Sequence, residues 1–325
     1  MKTRRLGKTN LNVSEIGMGC WQLGGDFGPI EDATSQQTLR AATDAGVNFF
    51  DTANVYGDGR SERQIGAYMG TGVDAVVATK LGRGGDCFPD GHTYENMRAS
   101  LIGSCERLGT DCVDLIQIHC VPAEVLERGD LFDVMCRLQD EGLCKNWGVS
   151  VETIAEARIC LKRPELASLQ IIFNLFRQNA AWDLLDEAKA ADVGVIIRLP
   201  LASGMLTGKF KPDHVFDKTD HRNYNANGDA FSMGETLSGM ELAKGVAALD
   251  LLRPYAPEGM SLADFALRWI LDHAGVSTII AGCSTPQQVA RNAAVSDMAP
   301  LSQETHAALR AIYKSDIEPL VRCPI

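Results

Sequence analysis

The chain has 325 residues, 45% of them hydrophobic and 22% charged, which is ample for a large core and lacks the compositional bias of disorder. Its 42 acidic against 31 basic side chains give a formal charge of −11, which repels nucleic acid and anionic membrane surfaces and excludes a general polyanion-binding face. No run approaches the roughly 18 apolar residues of a membrane span, and MKTRRLGKTNLNVSEIG has no secretion-type apolar stretch, so the expected compartment is the cytoplasm.

In chain order, TRRLGKTNLNVS (3–14) predicts a small hairpin turning at GKTN and plugging the bottom of the main domain. A strand is expected within EIGMGCW (15–21), then a helix opened by a capping box of Thr34 with Gln37 and stopped by Gly46. Further strands are predicted at VNFF (47–50), VDAVVAT (73–79), VDLIQI (113–118), NWGVS (146–150), SLQIIF (168–173), VGVII (193–197) and VSTIIA (276–281). Continuous apolar runs of this kind suit a parallel sheet covered on both faces. Between them, Met97, Leu101, Cys105 and Leu108 form a helical stripe closed by Gly109. Residues 200–237 are polar without strong periodicity, and unstructured stretches of that length usually carry function. Another helix starts at Ser261, capped with Asp264, with Leu262, Phe265, Ala266, Trp269 and Ile270 on one face.

Eight βα units with no linker between them predict one α/β domain over 1–325: a (β/α)8 TIM barrel with an N-terminal β-hairpin and a long loop after the seventh strand. An open dinucleotide-binding sheet fits less well, because Gly17 and Gly19 lack the third glycine of its fingerprint. The ten cysteines show no paired or metal-ligand spacing, so they are expected to be reduced and mostly buried, with no metal site.

The chemistry is concentrated at strand ends. Asp51, Lys80 and His119 each terminate an apolar strand, and Tyr56 lies in the loop of NFFDTANVYGDGRSE. A barrel gathers all C-terminal strand ends on one rim. A tyrosine with an ordinary pKa near ~10 needs a nearby cation to exchange protons. Lys80 would be that cation and Asp51 the carboxylate that keeps it charged, while His119 could align a carbonyl oxygen. That set suits carbonyl reduction. A Schiff base on Lys80 is a competing use of the same barrel.

FDTANVYGDGRSE, VVATK and DLIQIH, in this order, resemble the aldo-keto reductases, and the likeness runs from RRLGKTNLNVSEIGMG through EGLCKNWGVS and PLASGMLTGKF to IIAGCSTPQQVARNAA. The resemblance implies a catalytic tetrad of Asp51, Tyr56, Lys80 and His119, and NADPH as cofactor with NADH the alternative. It implies a nicotinamide held by Ser150 and Gln170, with Val151 where the family usually has Asn and Arg198 where many members stack an aromatic ring. The pyrophosphate would run along Leu201, Ser203, Gly204 and Lys209, and the adenine end along Gly282, Ser284, Thr285, Gln288 and Asn292. Ser284 stands where NADPH-specific members often carry a cation. The substrate, a small carbonyl or alcohol, would meet Trp21, Tyr56 and His119, with His221, Arg222, Asn223 and Tyr224 of the 209–237 loop nearby. Cys20 and Cys120 flank the site and raise the question of thiol sensitivity. The alternative function is a nucleotide-sensing regulatory module resembling the potassium-channel β subunits, which share the tetrad.

Overall fold

The eight apolar runs become the strands of a closed parallel barrel in the computed structural model, which describes residues 1–325. Ahead of it, β1 (Thr3–Arg5) and β2 (Asn12–Ser14) form an antiparallel hairpin. The barrel strands are β3 (Ile16–Gly19), β4 (Phe49–Asp51), β5 (Val76–Leu81), β6 (Val113–His119), β7 (Cys144–Ser150), β8 (Ser168–Ile172), β9 (Gly194–Arg198) and β10 (Thr278–Gly282). Each pairs with its sequence neighbour, and β10 closes the ring by pairing with both β9 and β3. Asp51, Lys80 and His119 lie inside the ladders, in register with Gly19, Gln117 and Ser150. Their backbones are thereby as fixed as those of the apolar residues before them.

The hairpin does close the barrel bottom. Leu6 and Val13 are fully buried in one cluster with Phe49, Ala78, Leu115, Ile196 and Ile280, one inward residue from each of five strands. Gly7 permits this approach: its φ is +51°, and a Cβ there would lie 2.2 Å from the backbone nitrogen of Gly194. Gly7→Ala therefore forces the plug outward, and thermal or denaturant unfolding should show a loss of at least about 2 kcal/mol.

The helix Tyr94–Leu108 buries Met97, Leu101, Cys105 and Leu108 and ends on left-handed Gly109, as its stripe predicts. Ser261 caps Leu262–Leu271 by accepting from the Asp264 nitrogen. The capping box at Thr34 and Gln37 does not form. That helix starts earlier, at Asp32 with Glu31 as N-cap. An acid in the first turn complements the helix dipole, and Thr34 becomes an interior residue whose carbonyl accepts from the Thr38 hydroxyl at 2.7 Å. No helix is long and apolar enough to cross a membrane.

The polar stretch after β9 contains only short helical turns, at Ala202–Thr207, His221–Tyr224, Met233–Glu235 and Leu237–Gly239. Six of the eight non-glycine residues with positive φ lie after β6 or β9, namely Cys120, Leu199, Ala202, Ser203, Leu237 and Ser238. Backbone strain of this kind concentrates at functional rims.

Candidate active site

Alternation along β6 turns Leu115, Gln117 and His119 to the same side, and Leu115 belongs to the barrel interior. Above the apolar layer, the interior therefore turns polar, with Asp51, Lys80, Gln117 and Gln170 all buried. Lys80 is fully buried, and its ammonium donates to Asp51 Oδ1, to the Thr52 carbonyl at 2.9 Å and to the Tyr56 hydroxyl at 3.3 Å. All three of its protons are placed. Burial opposes its charge, but Asp51 and Tyr56 outweigh that and raise its pKa above the ordinary 10.5. A lysine held charged in this way is a poor Schiff-base nucleophile.

Tyr56 is positioned by a close contact between two loops. Gly57 has φ +58°, and a Cβ on it would lie 2.2 Å from the Gly24 carbonyl. The loop carrying Tyr56 thus packs on the loop carrying Trp21, whose indole stacks over the phenol at 5.6 Å and 19°. Trp21 is itself held by donation to Asp26 at 2.8 Å. Burial pushes the Tyr56 phenol up to about 12, against the downward pull of Lys80. The phenol is therefore protonated at neutral pH.

His119 meets Tyr56 edge-on, with ring centres 5.9 Å apart. Burial, reinforced by Arg83, Lys80 and Arg198, holds its pKa well below 6.5, so the ring is neutral. Its Nδ1 is buried without a partner, which leaves Nε2 as the nitrogen available to the cleft.

A cleft of about 420 Å³ starts at these residues and runs outward over the rim, a volume typical of ligand sites. Asp51, Tyr56, His119 and Trp21 line it, together with Gln170, Arg198, Leu201, Ser203, Gly204, Lys209, Gly282, Ser284, Gln288 and Asn292. Two of the expected cofactor positions do not. Ser150 is buried behind the wall, donating to Gln170 at 3.4 Å. Thr285 caps the helix Pro286–Ala294 by accepting from the Gln288 nitrogen. Of the insertion residues, Arg222 lines the cleft and donates to the Ser203 carbonyl at 3.1 Å, and His221 stacks on Trp21 at 4.5 Å. Asn223 bonds within its own loop, to Phe216, and Tyr224 packs edge-on against Phe231. Neither lines the cleft.

Arg198 is more constrained than a free stacking plate. It donates to the Val151 carbonyl at 2.9 Å and to Glu152 at 2.8 Å, and lies 3.8 Å from Glu235, which also binds Arg83 at 2.8 Å. Arg83, Glu152 and Glu235 carried no signal in the sequence, because their partners are distant in the chain. Cys120, Glu152 and Glu235 place their ligand atoms within 4.8 Å of one another, but the two guanidiniums already meet the carboxylate charge. Burial drives the Cys20 and Cys120 thiols well above their ordinary range, which removes the thiolate that reactivity requires. The electrostatics of both thiols argue against thiol sensitivity.

At the outer end, Arg291 lines the cleft beside Ser284, Gln288 and Asn292. It lies three residues after Gln288 on one helix, a spacing that places both on neighbouring surface. That spacing was the signal the sequence offered for a cation at this end. Neither Arg291 nor Lys209 has a carboxylate partner, and burial and Arg222 lower the Lys209 pKa. Two cations without a salt-bridged carboxylate along the cleft fit an anionic ligand such as a dinucleotide.

Residues 15–314 match the model of the aldo/keto reductase family. A probable voltage-gated potassium channel subunit beta from Oryza sativa subsp. japonica is 32% identical, covering 97% of both chains. The aldo-keto reductase YhdN of Bacillus subtilis is 30% identical over 89% of this chain and 87% of its own. Among solved structures, an aldo-keto reductase from Klebsiella pneumoniae in complex with NADPH superposes with a TM-score of 0.70 at 25% identity, covering 96% of this chain and 95% of the other. With the barrel, the rim cleft and the match along nearly its whole length, the chain belongs to the aldo/keto reductase family and is an oxidoreductase of the nicotinamide-dependent kind.

Proposed function

We propose that the chain reduces an aldehyde or ketone to an alcohol, or oxidises the alcohol, with NADPH as the preferred cofactor. The observation that carries this reading is the Tyr56 hydroxyl 3.3 Å from the ammonium of fully buried Lys80, with the His119 ring edge-on to the phenol. The carbonyl carbon takes a hydride from the reduced nicotinamide. His119 holds the carbonyl oxygen by donation, and Tyr56 gives it a proton, with Lys80 stabilising the phenolate left behind. Gln170 would hold the nicotinamide side of the cleft, and Arg198 would form its wall. Lys209, Ser203 and Gly204 suit the pyrophosphate. The NADPH-bound relative supports the cofactor.

NADPH and NADH titrations followed by a carbonyl panel test the reading. Turnover with either cofactor on at least one aldehyde supports it. The potassium-channel subunit relative favours a second reading, a nucleotide-sensing module. Turnover far below ~1 per second across the panel, with tight nucleotide binding, would select that one.

The outer cations give a further expectation. Arg291→Ala should weaken NADPH about 10-fold or more and leave NADH within about twofold, since a charge-assisted bond contributes roughly 1.5–3 kcal/mol. Ser284→Arg should tighten NADPH alone. Fluorescence titration of both cofactors decides it, and parallel changes for the two would remove these positions from the 2′-phosphate.

A further inference from the structure

Asp51 offers two carboxylate oxygens, and they do different things. Oδ1 takes the Lys80 ammonium, whereas Oδ2 accepts from Gln117 Nε2 at 3.0 Å and from Gln170 Nε2 at 2.8 Å. The two glutamines are joined as well, Gln170 Nε2 donating to Gln117 Oε1 at 3.1 Å. Gln117 is fully buried and stands directly beside Lys80 in the β5–β6 ladder.

We propose that Gln117 is a positioning residue of the proton-donor system, holding Oδ2 so that Oδ1 stays aimed at Lys80 and Lys80 stays charged against Tyr56. This rests on the carbonyl-reducing reading above. A buried amide is costly unless its hydrogen bonds are made, and in the polar layer of this barrel those bonds go to Asp51 and Gln170. Gln170 gives its amide to Asp51 and Gln117 and accepts from Ser150, but it also lines the cleft, where a bound cofactor would compete for that amide. Gln117 is absent from the cleft lining and is the donor that remains on Oδ2 when Gln170 turns. The carboxylate then keeps its orientation whether or not the cleft is filled. An apolar side chain of the same length would fill the space but leave Oδ2 short of a donor, and the carboxylate could rotate away from Lys80.

The titratable groups around Lys80 are Asp51 and Tyr56 in direct contact, with Cys20 and His119 next to them. Gln117→Met is the test, because it keeps length and apolar volume and removes the amide. The expected result is a loss of kcat of about 10- to 100-fold, with KM and NADPH Kd within about threefold. Gln117→Glu should retain more activity at low pH, where the introduced carboxyl can donate to Asp51, and lose it as pH rises and two carboxylates face each other. In the nucleotide-free protein, the Lys80 Cε NMR signal, assigned by its loss in Lys80→Met, should titrate at lower pH in Gln117→Met than in the wild type. An unchanged titration with wild-type kcat would overturn the proposal. If the wild type reduces no carbonyl while the Lys80 titration still moves, the proposed reaction falls and the positioning role stands.

Discussion

Tyr56→Phe is expected to lower carbonyl reduction by at least ~100-fold, the lower range for deleting a general acid, while NADPH affinity stays within about twofold. The phenol is the one proton donor that the cleft places against both a cation and a neutral imidazole. Lys80 lies 3.3 Å from its oxygen, and the His119 ring stands edge-on to it. Removing a single oxygen leaves the stacked Trp21 and the packing of Gly57 on Gly24 in place, so the lost rate reports the proton and not the fold. The pH dependence has the same geometric origin. Reduction needs the protonated phenol, whose pKa is pushed up to about 12, so its rate should be flat across about pH 6 to 9. Oxidation needs the phenolate, and its rate should climb with pH over that range. Single-turnover rates would show both. A Tyr56→Phe variant keeping more than half of the wild-type rate, with chemistry limiting, would remove Tyr56 as donor.

Lys80→Met should be damaging twice over. It removes the cation that pulls the Tyr56 pKa down, and carbonyl reduction should fall by a factor comparable to that of Tyr56→Phe. It also strands Asp51, whose carboxylate is 2% exposed, and breaking a buried pair from one side costs about 3–5 kcal/mol. Adding Asp51→Asn should restore much of that stability without restoring activity. Because the folded pKa of Lys80 is raised above 10.5, the stability it contributes is fully present below about 10.5 and is lost only as pH rises through the higher folded value. The destabilisation at neutral pH is therefore undiluted by titration, and denaturant unfolding at pH 7 is sufficient to measure it. A double variant as unstable as the single one would mean that lost packing, and not an uncompensated charge, accounts for the effect.

Arg198 sits in a wall of paired charges at the end of β9. As a planar cation at a strand end it can be expected to stack on a ligand ring. In the folded chain its guanidinium is already committed to Val151 and Glu152, residues 47 and 46 positions away. Glu235 is held by Arg83 across 152 positions. Two guanidiniums thus face two carboxyl groups, and burial together with the neighbouring Glu152 raises the Glu235 pKa.

The order of residues along the chain is enough to set the elements and the chemistry at their ends. Barrel strands are covered on both faces, so VGVII appears as an unbroken apolar run and VDLIQI as one interrupted only by Asp114 and Gln117, and an ionisable residue closing such a run stands out. The Gly109 and Ser261 helix ends were legible for a similar local reason, since a left-handed stop and a hydroxyl cap act within a few residues of themselves. The start at Asp32 was not, because no side chain caps it and Thr34 with Gln37 offered a local alternative that the longer helix overrode. That Gln117 shares Asp51 with Gln170, and that Ser150 lies behind the cleft wall, follows from the closed ring alone. Those facts depend on which side chains point inward at the same height in a closed ring, which is fixed by register between strands tens of residues apart and leaves no periodic trace along the chain.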